Sequence, residues 1–182
     1  MRRRLSLGVP TLVVISGLPG VGKTTVADLV GAPLGAVRLS IDPVEEALID
    51  AGFSHGWKTG VAAYEAVREM AELNLRTGRT VVVDAVNDSE PARETWRRAA
   101  DSANAALCWI VLTMSDTIGH KSRLHNRDRG FTHIGEPAWA EVTEREIAPW
   151  TDTRETIDVS GMSAEQIAAD IERYVVEFRF NV

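Results

Sequence analysis

Gly17-Leu18-Pro19-Gly20-Val21-Gly22-Lys23-Thr24-Thr25 stands between the apolar run Leu12-Val13-Val14-Ile15 and the run Val26-Ala27-Asp28-Leu29-Val30. The order is strand, glycine-rich turn, helix, and the residues satisfy G-x-x-x-x-G-K-[ST] at every fixed position. Glycines let the backbone curl so that successive N–H groups point inward at phosphate oxygens, and the helix start adds its positive dipole end. Lys23 is then placed to reach β- and γ-phosphates, and the Thr24 hydroxyl to sit on Mg²⁺. A tight strand-to-helix turn with an incidental lysine is the plain alternative. The flanking strand and helix favour a nucleoside triphosphate site.

Outside this motif the chain has ordinary proportions. Its 182 residues suit one domain, with 45% hydrophobic and 25% charged residues. The net charge of −6 disfavours a nucleic-acid duplex or an anionic membrane as partner. The single cysteine, Cys108, lies in the apolar run Ala105–Leu112, where a buried small side chain is expected. One cysteine allows no intrachain disulfide and suits a reducing cytoplasm. Met1-Arg2-Arg3-Arg4 imitates the start of a signal peptide, but Pro10 and the following loop leave no cleavage site, and these arginines read as a solvated tail. No run reaches the length of a membrane span.

The hydrophobic pattern alternates between strands and helices. Strands are expected at Thr11–Ser16, Ala36–Ile41, Thr80–Asp84, Ala106–Thr113 and Thr156–Ser160. Helices are expected from Lys23 to Gly31, from Pro43 to about Gly52, through Val61, Tyr64, Val67, Ala71 and Leu75, around Pro91 and Trp96, and from about Pro137 to Ile147. The last helix opens on a capping box, Ser163 with Gln166, and presents Ile167, Ile171, Tyr174, Val175 and Phe178. Helix-length crossovers between strands argue an α/β fold, a parallel sheet with helices on both faces.

Several side chains fall where ligands bind in such sheets. Asp42 closes the second strand, at the carboxyl edge. It is placed to act as base for a hydroxyl attacking the γ-phosphate, and a helix cap with Glu45 three residues on is its plain alternative. Asp84 closes the third strand after three valines and is placed to hold Mg²⁺, directly or through water; a loop hydrogen bond is its plain reading. Asn87, Asp88 and Arg93 follow and either line an acceptor pocket or are turn polarity. Arg123, Arg127 and Arg129 form the main basic cluster. With Gly130 and Gly135 bracketing the loop beyond them, residues 123–137 suit a lid closing cations over the triphosphate. If that segment is helical, Arg123 and Arg127 share a face. Trp57, in a polar loop, is placed to contact an organic acceptor. The four histidines lack metal-ligand spacing.

Gly17–Thr25, Ser40-Ile41-Asp42, Val83-Asp84-Ala85-Val86-Asn87 and Arg123-x-x-x-Arg127-x-Arg129 together resemble the small P-loop kinases. That superfamily includes chloramphenicol phosphotransferase, gluconate and shikimate kinases, the zeta-toxin-like proteins and the kinase domain of polynucleotide kinases. The pattern is most similar to chloramphenicol phosphotransferase. Thr95-Trp96-Arg97 departs from the Arg-Trp order there, and the lid spacing is one residue shorter. The Asp-Ala-x-Asn element is closer to the polynucleotide-kinase-like branch. The resemblance runs from Leu12 to Phe178 and implies a three-layer fold with strand order 2-3-1-4-5 and ATP·Mg²⁺ as donor. It also implies Asp42 as base, Lys23 and Thr24 on phosphates and metal, Arg127 or Arg129 as lid cations, and Arg123 stacking on adenine. The function expected is transfer of the γ-phosphate to a hydroxyl of a small organic molecule such as an antibiotic, sugar or nucleoside-like acceptor. A polynucleotide 5′-hydroxyl kinase and a regulatory or toxin-like nucleotide-binding module are the alternatives. A nucleoside monophosphate kinase is less favoured, because Pro43–Gly78 offers only Lys58, Arg68 and Arg76 for a second phosphate.

Overall fold

The apolar residues before the phosphate loop form the central strand of a five-stranded sheet. The computed structural model describes residues 9–181, so the tail arginines Arg2 to Arg4 lie outside the described residues. Strands β1 (Thr11–Gly17), β2 (Val37–Ser40), β3 (Val81–Ala85), β4 (Ala106–Thr113) and β5 (Arg154–Asp158) pair in the order β2-β3-β1-β4-β5. Every pairing is parallel. A parallel central strand is covered on both faces, and Leu12, Val13, Val14 and Ile15 are accordingly all fully buried.

Seven helices are described: α1 (Lys23–Gly31), α2 (Ile41–Asp50), α3 (Trp57–Leu75), α4 (Glu90–Ala103), α5 (Thr117–Asn126), α6 (Trp139–Thr143) and α7 (Ala164–Phe180). Successive strand side chains point to opposite faces. Val13 and Ile15 therefore pack with Val26 and Val30 of α1 and Ile167 and Ile171 of α7. Leu12 and Val14 pack with Val67, Ala71 and Leu75 of α3 and Trp96 and Ala99 of α4. Each such buried aliphatic side chain contributes about 2 kcal/mol. The two cores clamp the sheet and hold the carboxyl ends of β1, β2 and β3 side by side. The α7 capping box is formed, with Gln166 N donating to Ser163 Oγ and Ser163 N to Gln166 Oε1.

Four expected boundaries move. Helix α2 begins at Ile41 with Ser40 as its N-cap, so Asp42 and Pro43 lie inside its first turn and Asp42 is not the cap. Proline is tolerated there because the first N–H groups of a helix have no partner within it. Strand β5 begins two residues earlier than expected, at Arg154. The helix expected from Pro137 to Ile147 is only Trp139–Thr143, because the chain beyond it turns to α4, where Ala148 N donates to Asp88 O at 2.7 Å. Helix α5 stops at Asn126 and Arg127 is extended, so Arg123 and Arg127 do not share a helical face. Cys108 is buried, and burial pushes its thiol up to about 12. No helix among the described residues is long and apolar enough to cross a membrane.

Candidate active site

The loop Leu18–Gly22 leaves β1 and enters α1 with Gly22, φ 96°, at the N-cap. A left-handed backbone there suits glycine and turns the first N–H groups of α1 outward. Gly17 answers to a different demand: a Cβ on it would lie 2.5 Å from the carbonyl oxygen of Leu112 on β4. The loop is also braced from α5. The buried His120 sets Nε2 2.7 Å from the Pro19 carbonyl, which only accepts, so Nε2 carries the proton. The His120 ring meets Trp139 edge-on at 5.1 Å.

Lys23 folds back so that Nζ donates to the Leu18 carbonyl at 3.1 Å. Desolvation pulls its ammonium down to about 8, with Asp84 and Asp42 opposing and Arg127 and Arg129 assisting. Thr24 Oγ1 donates to Asp84 Oδ2 at 2.8 Å, joining the start of α1 to the end of β3. Asp84 is 4% exposed, and Arg38 Nη1 lies 2.8 Å from its other oxygen. That ion pair is not aligned as a hydrogen bond, and Oδ1 has no well-directed donor. A buried carboxylate oxygen short of a partner, beside a threonine hydroxyl at a phosphate-binding loop, is a hard-oxygen donor set of the kind Mg²⁺ takes. Among the described residues no cluster of three or more His, Cys, Asp or Glu offers an all-protein metal cage.

The lid arginines face this loop across a cavity of about 460 Å³. Gly20, Gly22, Lys23, Thr24 and Thr25 line one side, Ser40, Asp42 and Pro43 another, and Arg123, Arg127, Asp128, Arg129 and Phe131 the third. The volume is in the range that holds a nucleotide-sized ligand. Arg129 Nη1 contacts Asp42 Oδ2 at 2.5 Å and its Nε contacts Glu136 Oε1 at 2.6 Å. Arg127 pairs with the other oxygen of Glu136, and Arg129 lies over the Phe131 ring at 4.8 Å. The cavity thus brings four cations, Lys23, Arg123, Arg127 and Arg129, together with two carboxylates, Asp42 and Asp128, of which Asp42 is paired with Arg129.

Three expected acceptor residues do not join them. Trp57, at the start of α3, is 80% exposed and does not line the cavity. Arg93 is fully buried, donates to the carbonyls of Asn87, Asp88, Ala148 and Pro149, and stacks 4.0 Å from the Trp150 ring. It ties the segment after α6 to α4 and has no face left for a substrate. Asn87 is also consumed: Nδ2 donates to Ser16 Oγ at 2.8 Å, and Oδ1 accepts from Trp96 Nε1 at 2.7 Å. Its backbone at φ 54° is the left-handed turn leaving β3, which asparagine tolerates.

Sequence reasoning passed over Arg38, His120, Glu46 and Glu136. Arg38 read as an ordinary strand residue, yet it bridges Asp28 of α1 and Asp84 of β3. Glu46 carried no expectation, and Glu136 only a place in the loop beyond the arginines; both meet residues 127–134.

Residues 12–157 match the family model described as AAA domain. An uncharacterized protein of Mycobacterium tuberculosis is 29% identical over 163 residues, covering 82% of this chain and 32% of that protein. The chain therefore spans about a third of the length of the curated relatives it matches first. A gluconokinase from Sinorhizobium meliloti superposes with a TM-score of 0.69 at 18% identity, covering 96% of both chains. An APS kinase from Mycobacterium tuberculosis, in complex with AMPPNP and APS, superposes with a TM-score of 0.60 at 18% identity, covering 92% of this chain and 98% of that one. At these identities the likeness to the solved structures is one of fold.

Proposed function

The chain belongs to the AAA-domain family, and from that premise we propose that it is an ATP-dependent phosphotransferase acting on a hydroxyl of a small organic molecule. The observation that carries this reading is the single cavity lined together by the phosphate loop, Asp42 and the three lid arginines. A nucleotide-binding module with no chemistry to perform needs neither a carboxylate nor a closing set of cations at its γ-phosphate end.

In this reading the amides of Leu18–Thr24 and the Lys23 ammonium hold the β- and γ-phosphates. Thr24 and Asp84 hold Mg²⁺, which when bound offsets charge on the phosphate oxygens. Asp42 accepts the proton of the attacking hydroxyl, a contribution of about 10²–10⁴ in rate for a positioned base. Arg127 and Arg129 stabilise charge on the transferring group, and Arg123, which also lines the cavity, packs on the nucleotide's base.

The acceptor is best read as carrying no phosphate of its own. Arg68 on α3 is held by Glu65, Glu69 and Glu72, and Arg76 by Glu72, so neither is free to clamp a second phosphate. Glu45, one turn from Asp42, is raised by partial burial and by Asp42 itself, and adds acid to that side. A single buried thiol supports a reducing, cytoplasmic setting.

The test is a panel of sugars, nucleosides, hydroxylated antibiotics and 5′-hydroxyl oligonucleotides, scored for acceptor-dependent ATP consumption. The expected result is turnover on a neutral or amine-bearing small hydroxyl compound. Turnover confined to oligonucleotides would replace this reading with a polynucleotide kinase. ATP affinity unchanged by Lys23→Ala would remove the nucleotide site itself.

A further inference from the structure

The lid is tied to α2 by contacts of two kinds. Glu46, one turn beyond Asp42, receives three consecutive lid amides. Its Oε1 accepts from Thr132 N at 2.7 Å and His133 N at 3.0 Å, and its Oε2 from His133 N at 3.2 Å and Ile134 N at 2.9 Å. Successive amides converging on one carboxylate form a nest. Partial burial alone would raise the Glu46 carboxyl, but the three amides outweigh it and hold it below its ordinary value. Neither Glu46 nor residues 132–134 line the nucleotide cavity.

The second kind of contact is side chain to side chain. Arg129 bridges Asp42 and Glu136, and Arg127 pairs with Glu136. Both arginines line the cavity, so a phosphate group entering it competes for them directly. A triphosphate presents more charge than two separate carboxylates and takes guanidinium groups in bidentate pairs. Glu46, bound to backbone and outside the cavity, is untouched by that exchange.

We propose that Glu46 is a positioning residue that anchors the lid to the helix carrying Asp42, so that incoming triphosphate draws Arg127 and Arg129 off Glu136 and Asp42 without releasing the lid. The consequence is an order of events. In the structure Arg129 occupies the Asp42 carboxylate. The γ-phosphate, by taking Arg129, frees that carboxylate for a hydroxyl proton, and the anchor keeps the lid cations within reach while it does so. This rests on the reading of Asp42 and the lid arginines given above.

The test uses the full chain with ADP and with the non-hydrolysable analogue AMPPNP, each with Mg²⁺. Amide exchange at residues 132–134 and the ratio of the two affinities are compared in the unaltered protein, Glu46→Gln and Glu46→Ala. Glu46→Ala should speed exchange of the three amides about tenfold or more, with and without nucleotide. It should lower affinity for AMPPNP about tenfold relative to ADP, which lacks the group the lid cations meet. Glu46→Gln, keeping one acceptor oxygen and the side-chain volume, should fall between, and serves as the folded variant if Glu46→Ala does not fold. Unchanged exchange, or an unchanged ratio in a folded variant, overturns the anchor. Failure of the unaltered protein to bind either nucleotide would instead overturn the proposed function.

Discussion

The phosphate loop takes its shape from backbone constraint, whereas the segment facing it is held by carboxylates, two from α2 and one of its own. Gly17 is pressed against a neighbouring strand, Gly22 turns the chain into α1, and His120 pins the Pro19 carbonyl. In the lid, Arg127 and Arg129 rest on Glu136 and Asp42, and the segment behind them hangs on Glu46. One region is shaped by its backbone. The other is charge-compensated by carboxylates, and in the proposal above an incoming triphosphate displaces them. Rigid amides suit the part of a nucleotide common to substrate and product, and exchangeable ion pairs suit the group that leaves.

Substitutions test that contrast, and the largest effect is expected at Gly17. Gly17→Ala should be the most damaging, because the added Cβ meets backbone 2.5 Å away at φ 147° and neither side can yield. A loss of about 3 kcal/mol or more, or failure to fold, is expected in thermal unfolding. Gly22→Ala has no atom within 4 Å of the new Cβ and should cost only backbone strain, about 1–2 kcal/mol. Equal effects at the two positions would break the account of the loop.

Arg93→Met asks whether that arginine is structural. Removing it strands four carbonyls in a buried region, and unfolding should show a loss of about 3 kcal/mol. ADP affinity of the folded fraction should be unaffected. A selective loss of acceptor binding would return Arg93 to the site.

The Lys23 ammonium, pulled down to about 8 by desolvation, sharpens the comparison through pH. Phosphate favours the charged form. Below that pH the lysine is protonated both free and bound, and affinity is at its full value. Above it, binding must take up a proton, and ATP affinity should fall by up to about tenfold per pH unit. Calorimetry in buffers of different ionisation heat would report the uptake, and a flat profile to pH 10 would contradict the desolvated lysine. The smallest effect is expected for Trp57→Ala, whose exposed ring should change stability and nucleotide affinity by no more than about 0.5 kcal/mol.

The difference between loop and lid also explains what could be read from residues alone. The phosphate loop is local: its glycines, lysine and threonine are spaced by the geometry they impose. The strand order followed from resemblance, and the alternation of apolar runs already required a parallel sheet. Arg93 was placed in the acceptor pocket because it follows Asp84 closely, but the partners that consume it, Ala148 and Pro149, lie more than fifty residues on. Glu46 meets the lid across 86 to 88 residues, a pairing that no periodicity announces. Asp42 was read as closing the second strand, but β2 ends at Ser40, and the cap offered as the plain alternative for Asp42 falls to Ser40.

The central claim is that Asp42 serves transfer and not nucleotide binding. Asp42→Asn, assayed with ATP·Mg²⁺ and the acceptor found in the hydroxyl panel, should bind ATP within about twofold of the unaltered protein and lose transfer by about a hundredfold or more. Transfer that survives the substitution would contradict the account.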